Sequence, residues 1–371
     1  MTYEWNHSTI NDVCVLVTDG SHSSPKSVND GKYMVSVKDF TDYGFDFASC
    51  RMISNDDYET LKRNGCVPQI DDILIGKDGA RFFEDIIIYR QREKPALLSS
   101  IAILRCDKSK ILPDFLYYVL RTPSFRQDVK DNYGSGSAIP RIILKDFKRM
   151  MVSYPSLEKQ QAIISVLTAI DSKIQANTEI NDNLEQQIKT IFTFQFLQNA
   201  NTEWKQQSLA ELSEMYQPKT ISGKDLIAAG NYFVYGANGI IGKYNQYNHS
   251  ESEIAVACRG ASCGSIQMTL PFSWITGNAM VVKPHSNFPY REYLYYYLLA
   301  KNPNYLCSGS AQPQLTRENL TLYSLKVPST TELNAFENYA EKVRKNPEKS
   351  YCYGIPNVIE PGDPESLPLM N

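Results

Sequence analysis

The 371-residue chain contains no apolar run near the ~18 residues that a bilayer span requires. Its start, Met1 to Asn11, has no basic region followed by an apolar stretch, so it does not read as a signal peptide. A cytoplasmic protein is expected. Histidine is scarce: His7, His22, His249 and His285 are the whole set. The eight cysteines include no C-x-x-C pair, and only Cys258 and Cys263 lie close together, which excludes a readable zinc site. Reduced, mostly buried thiols are expected. An excess of basic charge is also missing. The net charge of −3 counts against a simple nucleic-acid binder. The deficit is local, however. The tail from Asn346 carries −3 and the segment Leu157–Phe196 carries −2, so the rest sums to +2, compatible with basic grooves.

Proline and glycine are absent over residues 157–197, and what stands there instead is periodic. Ile163, Leu167, Ile170, Ile174, Leu184, Ile188 and Ile191 recur in steps of three and four, with Asn177 and Asn181 on the same phase. This is a heptad seam with a polar interruption, on a helix of ~40 residues or roughly 60 Å. Ser156 can cap its first turn. Such a helix packs on its own domain or in an interdomain or intersubunit coiled coil. Its length favours the second.

On either side of that helix the chain repeats itself. Ser135-Gly136-Ser137-Ala138-Ile139-Pro140 returns as Ser308-Gly309-Ser310-Ala311-Gln312-Pro313. The Tyr-rich segment Asp114–Leu120 returns as Glu292–Leu298, and Ile73–Ala80 returns as Ile254–Ala261. Glu4-Trp5 matches Glu203-Trp204, and Pro155 matches Pro328. Short apolar runs such as Ile86–Tyr89 and Ile101–Leu104, bounded by charge and turn formers, predict strands. Asn238-Gly239 marks a hairpin turn into Ile240–Tyr244.

The repeat also disposes of catalytic near-misses. Asn302-Pro303-Asn304-Tyr305 approaches the N-P-P-aromatic loop of amino-methylating enzymes, but its counterpart, Thr122-Pro123-Ser124-Phe125, lacks the Asn. A helix-ending proline explains both. Asp114 with Asp128-Val129-Lys130 loosely fits a nuclease metal pattern, yet the second copy has Pro289-Tyr290. That pattern needs carboxylates on neighbouring strands. Tyr133-Gly134-Ser135-Gly136 is a lone G-x-G without strand–turn–helix context.

Pro155-Ser156-Leu157-Glu158-Lys159-Gln160-Gln161-Ala162-Ile163, then Leu167–Ile174, Asn181-Asp182-Asn183-Leu184 and Tyr235–Gly242, in this order across two half-chains, resemble the specificity subunits of type I restriction-modification systems. The resemblance runs from Thr2 to about Lys345. It implies an α+β chain: a target-recognition domain at 1–155, a long spacer helix at 156–198, a second target-recognition domain at 199–329, a shortened second spacer helix at 330–345 and an irregular Pro-rich tail at 346–371. It implies a non-catalytic subunit whose two readers each take one half of a bipartite site on double-stranded DNA, with the helices setting their spacing. Methyltransferase (modification) subunits would bring S-adenosylmethionine, and a translocating restriction subunit would bring ATP and Mg²⁺; this chain would hold no cofactor or metal. The family's second helix matches the first in length; here Asn346-Pro347 interrupts it. A two-domain coiled-coil adaptor without DNA binding, and a standalone methyltransferase or nuclease, are the competing readings.

Base edges are read by bidentate Arg, Lys, Asn and Gln, and phosphates by cations, hydroxyls and backbone N–H groups. The candidates are therefore Ser135, Ser137 and Arg141 in the first S-G-S-A-x-P loop, and Ser310, Gln312, Gln314 and Arg317 in the second. To these are added Lys77, Arg81 and Arg259 beside the matching glycines, Tyr235, Asn238 and Lys243 on the hairpin, and Lys26 in the polar stretch Ser21–Lys26. The plain alternatives are tight turns, buried tyrosines and solvated surface charge.

Overall fold

The computed structural model describes residues 5–79, 81–134, 140–309 and 312–344. The chain divides into two compact units, residues 1–172 and 173–371, and the division falls inside the long helix. Among the described residues no helix is long and apolar enough to cross a membrane.

In the first unit the chain enters on β1 (Asn6–Thr9) and continues through β2 (Cys14–Asp19), β3 (Ile73–Gly76), β4 (Ile86–Ile88) and β5 (Ile101–Cys106). Strands β2, β5, β3 and β4 lie side by side in that order, all antiparallel. The central strands read as continuous apolar runs because both faces are covered. Ile73, Ile75, Ala102 and Leu104 point into a core built with the Tyr-rich helix α1 (Pro113–Arg121), whereas Leu74, Ile101 and Ile103 point into another with Val35 and Phe45. Each of the isoleucine and leucine side chains contributes roughly 1.5–3 kcal/mol by leaving water. A smaller sheet pairs Lys32–Val35 antiparallel with Arg51–Ile53 and parallel with Ala96–Leu97. The unit closes on β6 (Met151–Tyr154), which zips antiparallel against β1.

The helix α2 spans Leu157–Phe192 and continues in wider π-type turns to Gln198. Within the first unit, Ile164 is buried and Ile163 packs against the helical core. Gln160 is fully buried: its side-chain oxygen accepts from Leu112 N–H at 2.8 Å, and its amide donates to the carbonyls of Lys110 and Pro155. It thus satisfies a free N–H at the start of α1.

The second unit has the same plan. It runs through β7 (Lys205–Ser208), β8 (Ser213–Tyr216), β9 (Tyr232–Gly236), β10 (Gly239–Tyr244), β11 (Ile254–Ala257), β12 (Ile266–Met268) and β13 (Ala279–Pro284). Helix α3 (Arg291–Ala300), β14 (Ser324–Val327) and α4 (Thr330–Arg344) follow. The sheet order β8-β13-β11-β12 repeats that of the first unit. β7 pairs with β14, and the small sheet again joins one antiparallel and one parallel neighbour. Ile188, Phe192 and Phe196 of the long helical segment enter this unit's core with Phe336 of α4. Of the expected seam, Ile188 is buried while Ile170 and Ile174 are exposed. The irregular tail at 346–371 lies outside the described residues.

Thiol chemistry differs from expectation in one place. Cys14, Cys66, Cys106 and Cys258 are free and buried and Cys50 is free and half-buried, but Cys263 and Cys307 are joined as a disulfide. Their separation of 44 residues gives no sequence pattern that would announce the pairing.

Candidate nucleic-acid interface

In both units the two repeated motifs, far apart in sequence, meet. The turn after β3 carries Lys77, Asp78 and Gly79. Gly79 has φ +95°, a left-handed backbone that glycine adopts without cost. Its N–H donates to the carbonyl of Pro140 at 2.9 Å, and Ile142 N–H donates back to the Lys77 carbonyl at 3.0 Å. In the second unit Gly260, at φ +78°, donates to Pro313 at 3.1 Å, and Leu315 N–H donates to Cys258 at 2.9 Å. Asp78 bridges Arg141 in the first unit as Arg259 bridges Gln314 in the second. The proline of each S-G-S-A-x-P run is thus an acceptor that clips one loop to the other. Asn278 caps Cys258 N–H from its carbonyl as Ser100 caps Lys77 N–H.

This clip presents Arg81 and Arg141, both exposed, in the first unit. Arg81 holds Asp85 at 2.8 Å, and that carboxylate raises its guanidinium pKa further above the usual arginine value. In the second unit it presents exposed Arg259, Gln312 and Gln314, with Arg317 at the start of the short helix Arg317–Thr321. Lys77 is elsewhere: its side chain is 8 % exposed and lies 3.4 Å from Asp19 and 3.6 Å from Asp78. Ser135, Ser137 and Ser310 fall outside the described residues. Lys26 is exposed, beside a stretch tied down by Arg51, which donates to the Pro25 carbonyl and to Ser24 Oγ.

The hairpin β9–β10 turns at Ala237-Asn238, with Gly236 opposite Gly239 and φ +87° at Gly239. Only the glycine of the Asn-Gly pair takes the left-handed conformation, the pattern of a turn closed by a bulge. Asn238 is exposed at the tip. Lys243 stands over the ring of Phe233 with its Nζ 5.3 Å from the centroid. Tyr235 does not share that surface. It is buried against Ala255 and Ile275, and its hydroxyl accepts from Leu270 N–H.

The rejected catalytic motifs are local structure. Asn302 accepts through its side chain from Asn304 N–H at 2.9 Å and starts a short 3-10 turn; Thr122 accepts from Phe125 N–H at 3.3 Å and caps the helix Pro123–Asn132. Asp114 is clasped by Arg90 through two contacts of 2.7 and 3.0 Å, and Asp128 accepts from Asn132, both on helices. Among the described residues no cluster of three or more His, Cys, Asp or Glu side chains could hold a metal ion.

The architecture is thus a tandem pair of one α+β unit, displaying arginines on the clipped loops of the first and arginine and amide side chains on those of the second. Residues 3–186 and 201–334 match the family described as Type I restriction modification DNA specificity domain, and the chain belongs to that family. It is 30% identical over 131 residues to the Type I restriction enzyme HindI specificity subunit of Haemophilus influenzae, a stretch covering 33% of this chain and 28% of that protein. It is 26% identical over 211 residues to the Type I restriction enzyme EcoprrI specificity subunit of Escherichia coli, covering 52% of each. The chain therefore spans about half the length, or less, of these relatives. A crystal structure of the type I restriction-modification S subunit from M. genitalium shares the fold, with a TM-score of 0.58 at 16% identity over 95% of this chain and 93% of that one.

Proposed function

We propose that the chain is the address-reading, non-catalytic subunit of a type I restriction-modification complex. Each unit reads one half of a bipartite duplex site through its clipped loops, and the helix continuous between the units serves as spacer. The observation carrying this is the duplicated clip, which displays Arg81 and Arg141 in the first unit and Arg259, Gln312, Gln314 and Arg317 in the second, with Arg141 and Gln314 at the same bridge position. Arg and Gln are the side chains that make paired hydrogen bonds to guanine and adenine edges in the major groove. Asn238 and Lys243 add a second contact surface on the hairpin, and Lys26 one on the first unit; Lys77, through Asp19, positions the clip from within. Methyl transfer and cleavage belong to partners: methyltransferase subunits carrying S-adenosylmethionine, and a translocating restriction subunit using ATP and Mg²⁺.

The test is selection from a random duplex pool by the full chain co-expressed with its methyltransferase subunit. A two-part motif is expected, bound with steep salt dependence. Arg259→Ala with Gln314→Ala should relax one half of the motif and leave the other intact. Absence of any enriched motif with the partner present would sink the proposal and favour a protein-assembly adaptor.

A further inference from the structure

The two units clamp their loops by different chemistry. Cys263 sits on the turn that opens at Gly260, where its N–H donates to the Gly260 carbonyl at 3.0 Å. Cys307 directly precedes Ser308, which exchanges two 2.8 Å backbone hydrogen bonds with Gln314. The disulfide between them, with Cα atoms 6.6 Å apart, therefore joins the two loops of the second unit's clip. By the repeat, the corresponding residues of the first unit are Phe82 and Gly134. There the ring of Phe82 lies against the glycine: a Cβ built on Gly134 would fall 3.2 Å from Phe82 Cζ. Noncovalent packing does in one unit what a covalent bond does in the other.

Both cysteines of the pair are half-buried and so within reach of a small thiol reagent. The other described cysteines are not poised for this chemistry. Burial raises the thiol pKa of Cys66 and Cys258, and of Cys50 to about 12, which keeps them as unreactive thiols. In the core, the neighbouring Cys14 and then burial push the Cys106 thiol up as well.

We propose that Cys263 and Cys307 form a reversible oxidative modification site that sets the order of the clipped loops in the second unit alone. In the reduced chain the two thiols leave the loops without a covalent link, and the backbone hydrogen bonds between them remain. A low-molecular-weight disulfide such as oxidised glutathione is the oxidant. One cysteine thiolate attacks it, forming a mixed disulfide and releasing one glutathione thiol. The second thiolate then displaces the other glutathione, so two protein thiols and one glutathione disulfide give one protein disulfide and two glutathione thiols. The crosslinked clip is preorganised, so the oxidised chain holds its half-site more tightly than the reduced chain does. Only this last consequence rests on the DNA reading proposed above.

The full chain, treated with oxidised glutathione or with dithiothreitol, carries the test. Peptide mapping after alkylation should show a Cys263–Cys307 linked peptide in the first sample and two alkylated thiols in the second. Amide hydrogen exchange around Gly260, Ser308 and Gln314 should slow by about tenfold on oxidation, with Gly79 and Ile142 unchanged. The wild-type sequence serves both states, so failure of a variant to fold does not confound the comparison. Cys307→Ala should exchange at the reduced rate under both treatments. An oxidised sample without the linked peptide, or equal exchange in the two states, overturns the proposal. On a selected duplex the oxidised chain should bind about three- to tenfold more tightly. Equal affinity alongside altered exchange removes the consequence for DNA reading, and loss of binding in both states counts against the DNA reading itself.

Discussion

The Tyr-rich helices α1 and α3 occupy the same place in their units and are covered differently. In the second unit Phe192 and Phe196 lie against Tyr293, Tyr296, Phe336 and Trp204, with ring centroids 5.2–6.1 Å apart. In the first unit the corresponding wall, Trp5, Phe115, Tyr118 and Ile163, borders an open apolar groove of about 840 Å³. Trp5 is 42 % exposed there, whereas Phe336 is 2 % exposed in the second unit. The sheets show a parallel contrast. Asp72, with no exposure, is gripped by Arg105 through two contacts of 2.8 Å, while at the equivalent site Glu253 meets Lys283 through a looser contact of 3.4 Å. Burial pushes the Glu253 carboxyl pKa up in consequence. One fold thus distributes its contacts differently: aromatic cover from the long helix in the second unit, and a closer carboxylate–cation pair at this sheet position in the first.

The largest expected effect comes from breaking the aromatic cover. Phe192→Ala should destabilise the second unit by about 3–5 kcal/mol, seen in urea unfolding followed by Trp204 and Trp274 fluorescence, and leave hydrogen exchange in the first sheet unaltered. Arg105→Ala strands a fully buried carboxylate and should cost about 3 kcal/mol in the first unit. Lys283→Ala, whose side chain is 48 % exposed, should cost about 1 kcal/mol or less. Equal losses for the two would erase the contrast between the sheets.

Glu337 sharpens the comparison with Gln160. Its carboxylate accepts from Glu292 N–H at 3.0 Å and Tyr293 N–H at 3.3 Å, capping α3 as Gln160 caps α1, but with charge. Burial raises its pKa from 4.5 to about 7. The folded state then binds more protons than the unfolded state between those values. Glu337's contribution is therefore fully present below pH 4.5 and lost as pH rises through 7. Second-unit stability should fall by about 1 kcal/mol across that window after allowance for partial exposure, and Glu337→Gln should remove the fall. The smallest effect is on DNA: Arg141→Ala and Arg259→Ala should each weaken half-site binding about fivefold, in opposite halves of the motif.

The duplication, the strand-rich bodies, the Tyr-rich helices and the long helix were all legible, because apolar period and repeated motifs are local in sequence. That S-G-S-A-x-P meets the Gly79 and Gly260 turns was not, since each clip joins segments more than 50 residues apart through backbone bonds. Lys77 looked like a surface cation because nothing local shows that Asp19 lies beside it. Tyr235 adjoins an exposed turn yet points into the core, a matter of strand phase beside a bulge. Gln160 was part of a recognisable motif, but its fit to Leu112 N–H and two carbonyls emerges only when helix and unit are packed. The left-handed Phe83, at φ +62°, is invisible in sequence; its counterpart Gly264 stands at +84° where glycine would be anticipated.

Each unit opens and closes on neighbouring strands, Asn6 opposite Tyr154 in one and Lys205 opposite Val327 in the other. A segment whose two ends are stitched together can be exchanged for another of different length without moving the points where it joins the helices. Replacing the body between the seams would then carry the clip and the small sheet together as one piece.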